Sequence, residues 1–357
     1  MRRISDTIKR LSRHQSFFHN GSPRGRLMEL QSLGCNPGEL TGWHYIPDNL
    51  DSSPALVVVL HGCTQTASDY DYGSGWSALA KDFGFAVLFP EQSRQNNPNL
   101  CFNWFYDGDI ERDQGEVLSI REMIGTMVSN HGIDPKRIFV TGLSAGGAMA
   151  NAMLVVYPEV FAGGAIIAGL PYGAASTIPQ AFDRMRGHAL PSGRSLQEKL
   201  RTASPHTGPW PLVSVWHGTE DKTVDKANAQ AIVSQWSEVH GVGKRPNQTN
   251  YLDGLEHSVW TDGSGRDVIE LYCVTGLGHG TPLDATSGYG QAAPHMLDVG
   301  ISSTEHIARG WGLTPSFARK AKSPSIGTRG PDRARPADKG GIQNIIEDAL
   351  RTAGLMR

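Results

Sequence analysis

A short segment around Ser144 limits the folds open to this chain more than any other part of the sequence. Apolar, β-branched residues at 138–141 predict a buried strand, and the Ala/Met/Leu-rich run after them predicts a helix that ends before Pro158. Between the two, residues 142–146 have the sequence GLSAG, which matches G-x-S-x-G. Between a strand and a helix, this pattern is typical of a nucleophile elbow. We therefore predict that Ser144 is a nucleophile.

The small residues beside Ser144 have a physical role in such a turn. Side chains at Gly142 and Gly146 would meet the neighbouring strand and helix, so glycine leaves the room that the turn needs. The Ala145 N–H lies at the N-terminus of the predicted helix, where partial positive charge can stabilise an oxyanion. The alternative interpretation is a turn of small residues with no chemical role.

Predicted strands and helices alternate along the rest of the chain. Strands are predicted at 40–46, 56–60, 85–89, 138–141, 164–168, 211–216 and 268–275. Helices are predicted at 76–83, at 113–130 with Asp113 as the cap, at 225–240 and within 294–311. The alternation favours an α/β fold, with a mostly parallel central sheet and helices on both faces.

Composition divides the chain into four parts. Residues 1–30 are predicted to be a disordered basic tail, and 31–313 a catalytic domain. Within that domain, 170–210 interrupts the strand–helix alternation and is predicted to be a small cap or lid. Residues 314–340 are predicted to be a basic flexible linker, and 341–357 a short amphipathic helix.

Charge and hydropathy exclude several classes of protein. The net charge is −2, which argues against bulk nucleic-acid binding. Residues 1–30 and 314–340 each carry seven Lys/Arg and two acidic residues, so the remainder is acidic. No run of 18 apolar residues predicts a membrane span. The basic N-terminus is not followed by the apolar segment of a signal peptide, so we expect a cytoplasmic protein, with secretion by a non-standard route as the alternative.

Cysteine spacing gives no sign of a metal site. The four cysteines contain no C-x-x-C pair; they are Cys35, Cys63, Cys101 and Cys273. Free thiols are the default in a cytoplasmic protein. We expect neither a metal nor an organic cofactor.

A serine nucleophile needs a histidine to take its proton and an acid to orient that histidine. Asp221 is the preferred acid because it lies in the loop that follows the predicted strand at 211–216. Asp225 is better explained as a helix cap, and Glu220 as a solvated side chain. The order Ser, acid, His restricts the base to five histidines: His240, His257, His279, His295 and His306. His279 is preferred because it lies in a glycine-rich loop directly after a strand.

The loop after the first buried strand, residues 61–63, can supply the second oxyanion donor. The N–H groups of Cys63 and Ala145 would then bind the developing negative charge. His61 and Gly62 are assigned to the substrate-binding region, although His61 is expected to brace the loop rather than react. Trp104 is also predicted to contact substrate, because three adjacent aromatic residues in a polar loop are unusual as core.

Several motifs together resemble one family. They are LHGCTQ at 60–65, NWF at 103–105, GE at 115–116, GLSAGG at 142–147, HGTED at 217–221, GHGTPL at 278–283, ISST at 301–304 and WGL at 311–313. They resemble the polyhydroxybutyrate depolymerase-type esterases, an α/β-hydrolase family with feruloyl and acetylxylan esterase relatives. The resemblance covers roughly residues 35–313.

The resemblance implies Ser144, Asp221 and His279 as a catalytic triad and Cys63 at the oxyanion hole. It also suggests that Cys63 and Cys101 are close enough for a disulfide, with two reduced thiols as the alternative. The implied activity is a serine esterase acting through an acyl-enzyme, with short-chain hydroxyalkanoate esters or oligomers as the preferred substrates. The alternatives are a feruloyl or acetylxylan esterase, and a non-catalytic binding protein. The basic tails suggest weak association with an anionic surface or polymer granule.

Overall fold

The computed structural model of the chain describes residues 26–314. The predictions for residues 1–25, for the linker from 315 onward and for the C-terminal helix lie outside the described residues. No helix within 26–314 combines the length and the apolarity needed to cross a bilayer.

A ten-stranded sheet forms the centre of the fold, in the spatial order β1-β2-β4-β3-β5-β6-β7-β10-β9-β8. Its strands are β1 (Met28–Glu29), β2 (Thr41–Tyr45), β3 (Leu56–Leu60), β4 (Ala86–Glu91), β5 (Ile138–Leu143), β6 (Gly163–Ile167), β7 (Leu212–Gly218), β8 (Gln248–Leu252), β9 (Leu255–Thr261) and β10 (Asp267–Val274). The six strands from β4 to β10 in this order pair in parallel, and the strands at both edges pair antiparallel. Two short strands, β11 (Thr281–Leu283) and β12 (Met296–Asp298), pair separately.

Helices cover both faces of this sheet. They are α1 (Ala67–Ser74), α2 (Trp76–Phe83), α3 (Asp107–Ile110), α4 (Gly115–His131), α5 (Ala145–Val156), α6 (Ile178–Met185), α7 (Gly193–Thr202), α8 (Ala227–Ser237) and α9 (Ser303–Gly310). In β3, alternate side chains belong to two separate cores, one with α4, α5 and α8 and the other with α1, α2 and α9. Burial on both faces explains the continuous apolar runs of the parallel strands and confirms the predicted α/β-hydrolase architecture.

Three local features differ from the sequence prediction. The sheet begins at Met28 and the Leu30 side chain is buried, so ordered structure starts inside the predicted tail. Helix α1 was not predicted because its sequence, ASDYDYGS, has little apolar periodicity, and its N-cap is the Thr66 side chain. Asp113 does not cap α4. It lies at φ 64°, bonded to the Tyr157 hydroxyl, while Gln114 is the N-cap residue.

The segment 170–210 contains two helices with different neighbours. Ala175 precedes α6 and Ala181 lies in it. Both belong to a small apolar cluster that also contains Ala145 at the start of α5. Helix α7 packs on α8 instead, and its Leu200 side chain belongs to the main core. Only the first half of the predicted cap therefore borders the carboxyl edge of the sheet.

Candidate active site

Ser144 lies in the strained turn that the G-x-S-x-G pattern predicts. It connects β5 to α5 with φ 57° and ψ −117°, a conformation that residues other than glycine rarely adopt. A Cβ on Gly142 would lie 2.3 Å from the Gly146 carbonyl oxygen, and one on Gly146 would lie 2.3 Å from the Leu60 carbonyl oxygen. Only glycine fits these two positions, and the resulting close packing holds Ser144 at the carboxyl edge of the sheet.

Two backbone N–H groups beside the elbow are available to an oxyanion. The loop of residues 61–63 packs directly on the turn, since a Cβ on Gly146 would also meet the His61 carbonyl oxygen at 2.4 Å. Neither the Cys63 N–H nor the Ala145 N–H donates a hydrogen bond to any group in residues 26–314. Both groups can therefore donate to a negative oxygen bound above Ser144.

The Asp221 side chain is buried in the loop that follows β7. One carboxylate oxygen accepts the N–H groups of Thr223 and Val224 at 2.9 Å, and the other lies 2.8 Å from His279 Nδ1. Burial raises the pKa of Asp221, but the bonds from His279 and Val224 outweigh it and hold that pKa below its ordinary value. Asp221 is therefore an anion placed to stabilise a positive charge on the His279 ring.

The contacts of His279 distinguish it from the competing histidines. Because its Nδ1 is engaged with Asp221, its Nε2 remains as the ring nitrogen available to a nucleophile. The Nε2 atom of His257 instead bonds the Glu270 carboxylate at 2.7 Å. His306 Nδ1 contacts the Ser302 carbonyl at 2.8 Å within its own helix.

The two alternative acids have other roles or no role. Lys226, not Asp225, is the N-cap residue of α8, although one Asp225 oxygen accepts the Ala227 N–H at 2.8 Å. Glu220 is exposed and makes no side-chain hydrogen bond within the described part of the chain. The structure therefore brings Asp221 and His279 together, whereas neither Asp225 nor Glu220 bonds to His279.

Ser144 shares an edge of the sheet with this pair without a direct bond to it. No hydrogen bond joins Ser144 to His279 within residues 26–314. The loops nonetheless converge, because Val224 of the Asp221 loop and Ala145 of the elbow belong to the same apolar cluster. Catalytic hydrogen bonds of this kind tighten when substrate is bound.

The assignment of His61 and Gly62 to substrate binding stays a prediction, and the contacts of both residues favour a different role. His61 is buried; its Nδ1 lies 2.8 Å from the Gly62 carbonyl oxygen, and its Nε2 accepts the Gln92 N–H at 3.1 Å. Gly62 donates its N–H to Gln65 Oε1 at 2.9 Å. Burial lowers the pKa of His61 to about 4, so the ring is neutral. Both residues brace the oxyanion loop through these bonds.

Trp104 lies in a small apolar cluster that borders the elbow, which we call the site-edge cluster. It consists of Trp104, Ala145, Ala148, Leu170, Ala175, Ala181 and Val224. The Phe105 ring packs edge-on against Trp104 with ring centroids 5.3 Å apart, and the exposed Tyr106 ring lies 4.4 Å from Phe105. Contact between Trp104 and substrate stays a prediction, and the site-edge cluster is the apolar surface where that contact is expected.

Cys63 and Cys101 form a disulfide with an S–S distance of 2.06 Å and a Cα–Cα distance of 4.2 Å. This confirms the pairing suggested by the family resemblance. The bond joins the loop of the oxyanion donor to the segment that precedes Trp104. Cys35 and Cys273 are free thiols.

Several residues that shape the site were not predicted from the sequence. His217 bonds the Val224 carbonyl oxygen through Nε2 at 2.8 Å and so closes the loop that holds Asp221. Glu116, Gln92 and Asn103 form a buried polar network behind the oxyanion loop. The motifs HGTED, NWF and GE contained three of these residues, whereas Gln92 had no sequence signal. Within residues 26–314, no group of His, Cys, Asp and Glu side chains is arranged to hold a metal ion.

The sequence has clear relatives among characterised esterases. A family model described as esterase PHB depolymerase matches residues 44–246. Poly(3-hydroxyalkanoate) depolymerase C of Paucimonas lemoignei is 42% identical over 291 residues, which cover 80% of this chain and 70% of that protein. Feruloyl esterase B of Talaromyces funiculosus is 31% identical over 73% of this chain and 74% of its own length. An acetylxylan esterase of Coprinopsis cinerea is 32% identical, over 74% and 71% respectively.

Among solved structures, acetyl xylan esterase from Aspergillus awamori has a similar fold. Its TM-score is 0.69, with 24% sequence identity over 81% of this chain and 100% of that chain. At this identity the similarity supports the fold alone, and it agrees with the predicted α/β-hydrolase architecture.

Proposed function

Because this chain belongs to the PHB depolymerase esterase family, it is a carboxylic ester hydrolase, and we propose that it acts through an acyl-enzyme formed on Ser144. The observation that carries the mechanism is the buried Asp221 carboxylate bonded to His279 Nδ1 at 2.8 Å. It fixes the His279 tautomer and stabilises the imidazolium that forms when the ring takes the proton of Ser144.

The reaction has two halves. The Ser144 Oγ bonds to the ester carbonyl carbon while His279 takes the hydroxyl proton, and the Cys63 and Ala145 N–H groups bind the oxyanion. His279 then gives its proton to the alcohol oxygen as the C–O bond breaks, which leaves the acyl group on Ser144. Water then attacks the acyl carbon while His279 takes a proton from it. The Oγ–C bond breaks as His279 returns that proton to Ser144 Oγ, and the carboxylic acid leaves.

The proposed substrates are short-chain hydroxyalkanoate esters, such as hydroxybutyrate esters or oligomers. Two observations support this choice: the 42% identity to a poly(3-hydroxyalkanoate) depolymerase, and the site-edge cluster, whose small aliphatic members suit a short acyl chain. The second candidate is a feruloyl or acetylxylan ester. The adjoining rings of Trp104, Phe105 and Tyr106 favour it, because an aromatic acyl group can stack on them.

A substrate panel tests these candidates. The purified protein is assayed with p-nitrophenyl butyrate, a 3-hydroxybutyrate trimer, methyl ferulate and acetylated xylan. We expect the highest kcat/KM with the trimer. Preference for methyl ferulate would replace the hydroxyalkanoate assignment by the feruloyl one, and no turnover of any ester would favour a non-catalytic binding protein.

A matched pair of tryptophan variants tests whether Trp104 contacts the acyl group of the substrate. Trp104→Leu is expected to raise KM for the trimer about tenfold, because a buried aromatic contact is lost. Trp210→Leu is the control, since Trp210 packs on Trp236 and His206 at the start of β7, away from the site. Equal KM values for Trp104→Leu and the unaltered protein would remove Trp104 from the substrate site.

We also propose weak association of the protein with an anionic surface, such as a coated polymer granule. The support is the net charge of +5 in residues 1–30 and in residues 314–340, beside an acidic remainder. Deletion of residues 315–357 should leave turnover of a soluble ester unchanged and weaken sedimentation with anionic vesicles at low salt. Equal sedimentation of the truncated and full-length proteins would refute this association.

The disulfide bears on where the enzyme works. Disulfides such as Cys63–Cys101 persist in oxidising compartments and are rare in the cytoplasm. We therefore propose an oxidising compartment as the site of action, in place of the cytoplasm expected from the N-terminal sequence. Fractionation of the native host tests this, with recovery of the activity and the intact disulfide outside the cytoplasm as the expected result. Recovery of active protein with four free thiols in the cytoplasm would contradict it.

A further inference from the structure

A buried carboxyl group without a part in the chemistry lies behind the oxyanion loop. Glu116, in the first turn of α4, exposes none of its surface. Its carboxyl oxygens accept three hydrogen bonds, from Gln92 Nε2 at 2.5 Å, Asn103 Nδ2 at 2.8 Å and the Asn103 N–H at 2.9 Å. No Lys, Arg or His side chain pairs with it in the described part of the chain.

Keeping Glu116 buried is costly to the fold. Burial, together with the nearby Asp109 carboxylate, raises the pKa of Glu116 to about 8. A carboxyl group in such a place is stabilised only by the dipoles that it orders around itself. The groups that Glu116 orders are therefore the place to look for its role.

One branch of the network leads to the oxyanion donor. Gln92, whose side chain donates to Glu116, donates its backbone N–H to His61 Nε2 at 3.1 Å, and His61 Nδ1 donates to the Gly62 carbonyl oxygen at 2.8 Å. The peptide between Gly62 and Cys63 is planar, with its C=O and N–H in opposite directions. Anchoring the Gly62 carbonyl therefore fixes the direction of the Cys63 N–H.

The second branch leads to the aromatic loop. Glu116 binds Asn103 through both its backbone N–H and its side-chain amide, immediately before Trp104. Gln92 Nε2 also donates to the carbonyl oxygen of Cys101, the partner of Cys63 in the disulfide. The Glu116 carboxyl group, through Gln92 and Asn103, thus holds the backbone next to Cys63 and next to Cys101.

We propose that Glu116 is a positioning residue for the oxyanion hole, acting through Gln92 and His61 on the Cys63 N–H and through Asn103 on Trp104. The proposal rests on the proposed ester hydrolysis, because the oxyanion forms only in that reaction. It assigns Glu116 no contact with substrate. A positioning role predicts a loss in kcat, because the oxyanion exists only at the transition state and in the intermediate.

The first test is Glu116→Gln assayed with p-nitrophenyl butyrate. The amide places an NH₂ group where a carboxyl oxygen accepts a bond, so at least one of the three donors loses its partner. We expect kcat to fall about tenfold or more, since removal of a whole oxyanion donor costs 10²–10³-fold, while KM changes less than about twofold. The matched control is Asp71→Asn, another buried acid, which accepts bonds from Ser77 near α1 and has no link to the site. It should lower Tm and leave kcat unchanged.

The second test separates positioning from general stability. Gln92→Ala removes the side-chain link and keeps the backbone N–H that bonds His61. If Glu116 and Gln92 act through the same series of hydrogen bonds, Gln92→Ala lowers kcat. The variant with both substitutions is then no worse than the more damaging single variant. A kcat within about twofold of the unaltered protein in Gln92→Ala or in folded Glu116→Gln overturns the proposal, as does an equal loss in Asp71→Asn. Failure of the unaltered protein to turn over any ester would instead refute the proposed function.

Discussion

Asp221 is the residue whose surroundings are most specific to the chemistry. Its carboxylate bonds two backbone N–H groups and His279 instead of water, and these bonds hold its pKa low despite burial. A lowered pKa means that its contribution to stability is present above the ordinary value of 3.8 and is lost as the pH falls further. The same arrangement that stabilises the folded anion keeps it charged for the proposed reaction.

Replacing Asp221 by Asn should therefore damage catalysis much more than folding. We expect a fall in kcat of about 10³–10⁴-fold, because the amide favours the wrong His279 tautomer. Asp225→Asn is the matched control, since Asp225 lies in the same loop and its side chain bonds the Ala227 N–H instead of His279. The measurement is kcat for p-nitrophenyl butyrate beside Tm. Comparable losses in the two variants would show that the acid has been misassigned.

Glu116 should make stability depend on pH in the opposite direction. Its pKa is raised from 4.5 to about 8 in the folded protein, so the folded state keeps a proton that the unfolded state releases. The free energy of unfolding should then fall as the pH rises from about 4.5 to 8. Urea unfolding at pH 5.5 and pH 8 should show a smaller difference for Glu116→Gln than for the unaltered protein. A difference of the same size in both would contradict the shift.

Among the structural elements, the parallel strands were the most predictable. Strands β3 to β6 are buried on both faces, which requires runs such as LVVVL that stand out in a sequence. Helix α1 and the edge hairpin of β8 and β9 lack such patterns. The cap segment was recognised by its composition, but composition could not indicate that only α6 borders the site.

The residues of the candidate site that follow strands could be predicted. Those that act through hydrogen bonds between distant segments could not. Ser144, Asp221 and His279 each lie just after a strand, and strand ends meet at one edge of a parallel sheet. The link from Glu116 through Gln92 to His61 joins segments far apart in the chain. One bond of this link is donated by a backbone N–H. Because every residue except proline has that group, the sequence does not reveal the bond. The bracing role of His61 is expected from the sequence, but its bond with the Gln92 N–H is not.

The disulfide is the covalent counterpart of that network. It closes a loop of 38 residues between the oxyanion segment and the aromatic segment. Cys101→Ser should lower the free energy of unfolding by about 3–4 kcal/mol, measured by urea unfolding without reductant. Cys35→Ser is the control, because Cys35 is exposed and unpaired. Thiol titration of the denatured, unreduced protein should find two thiols; four would contradict the bond.

At the scale of the whole molecule, one sheet edge gathers what ester hydrolysis requires. The elbow after β5 supplies Ser144, the loop after β7 supplies Asp221, and the loop after β10 supplies His279. The loop after β3 adds the Cys63 N–H. Family membership establishes ester hydrolysis for this chain, and the covalent step on Ser144 is the central claim that remains for experiment.

A stable phosphonate ester tests that claim most directly. A p-nitrophenyl alkylphosphonate reacts with a serine nucleophile by forming an Oγ–P bond as p-nitrophenolate leaves, and the adduct does not hydrolyse readily. We predict release of about one equivalent of p-nitrophenol per protein, loss of activity, and a phosphonyl mass on the peptide containing Ser144, with none of these in Ser144→Ala. A phosphonyl group on a different residue, or undiminished ester turnover by Ser144→Ala, would contradict the account.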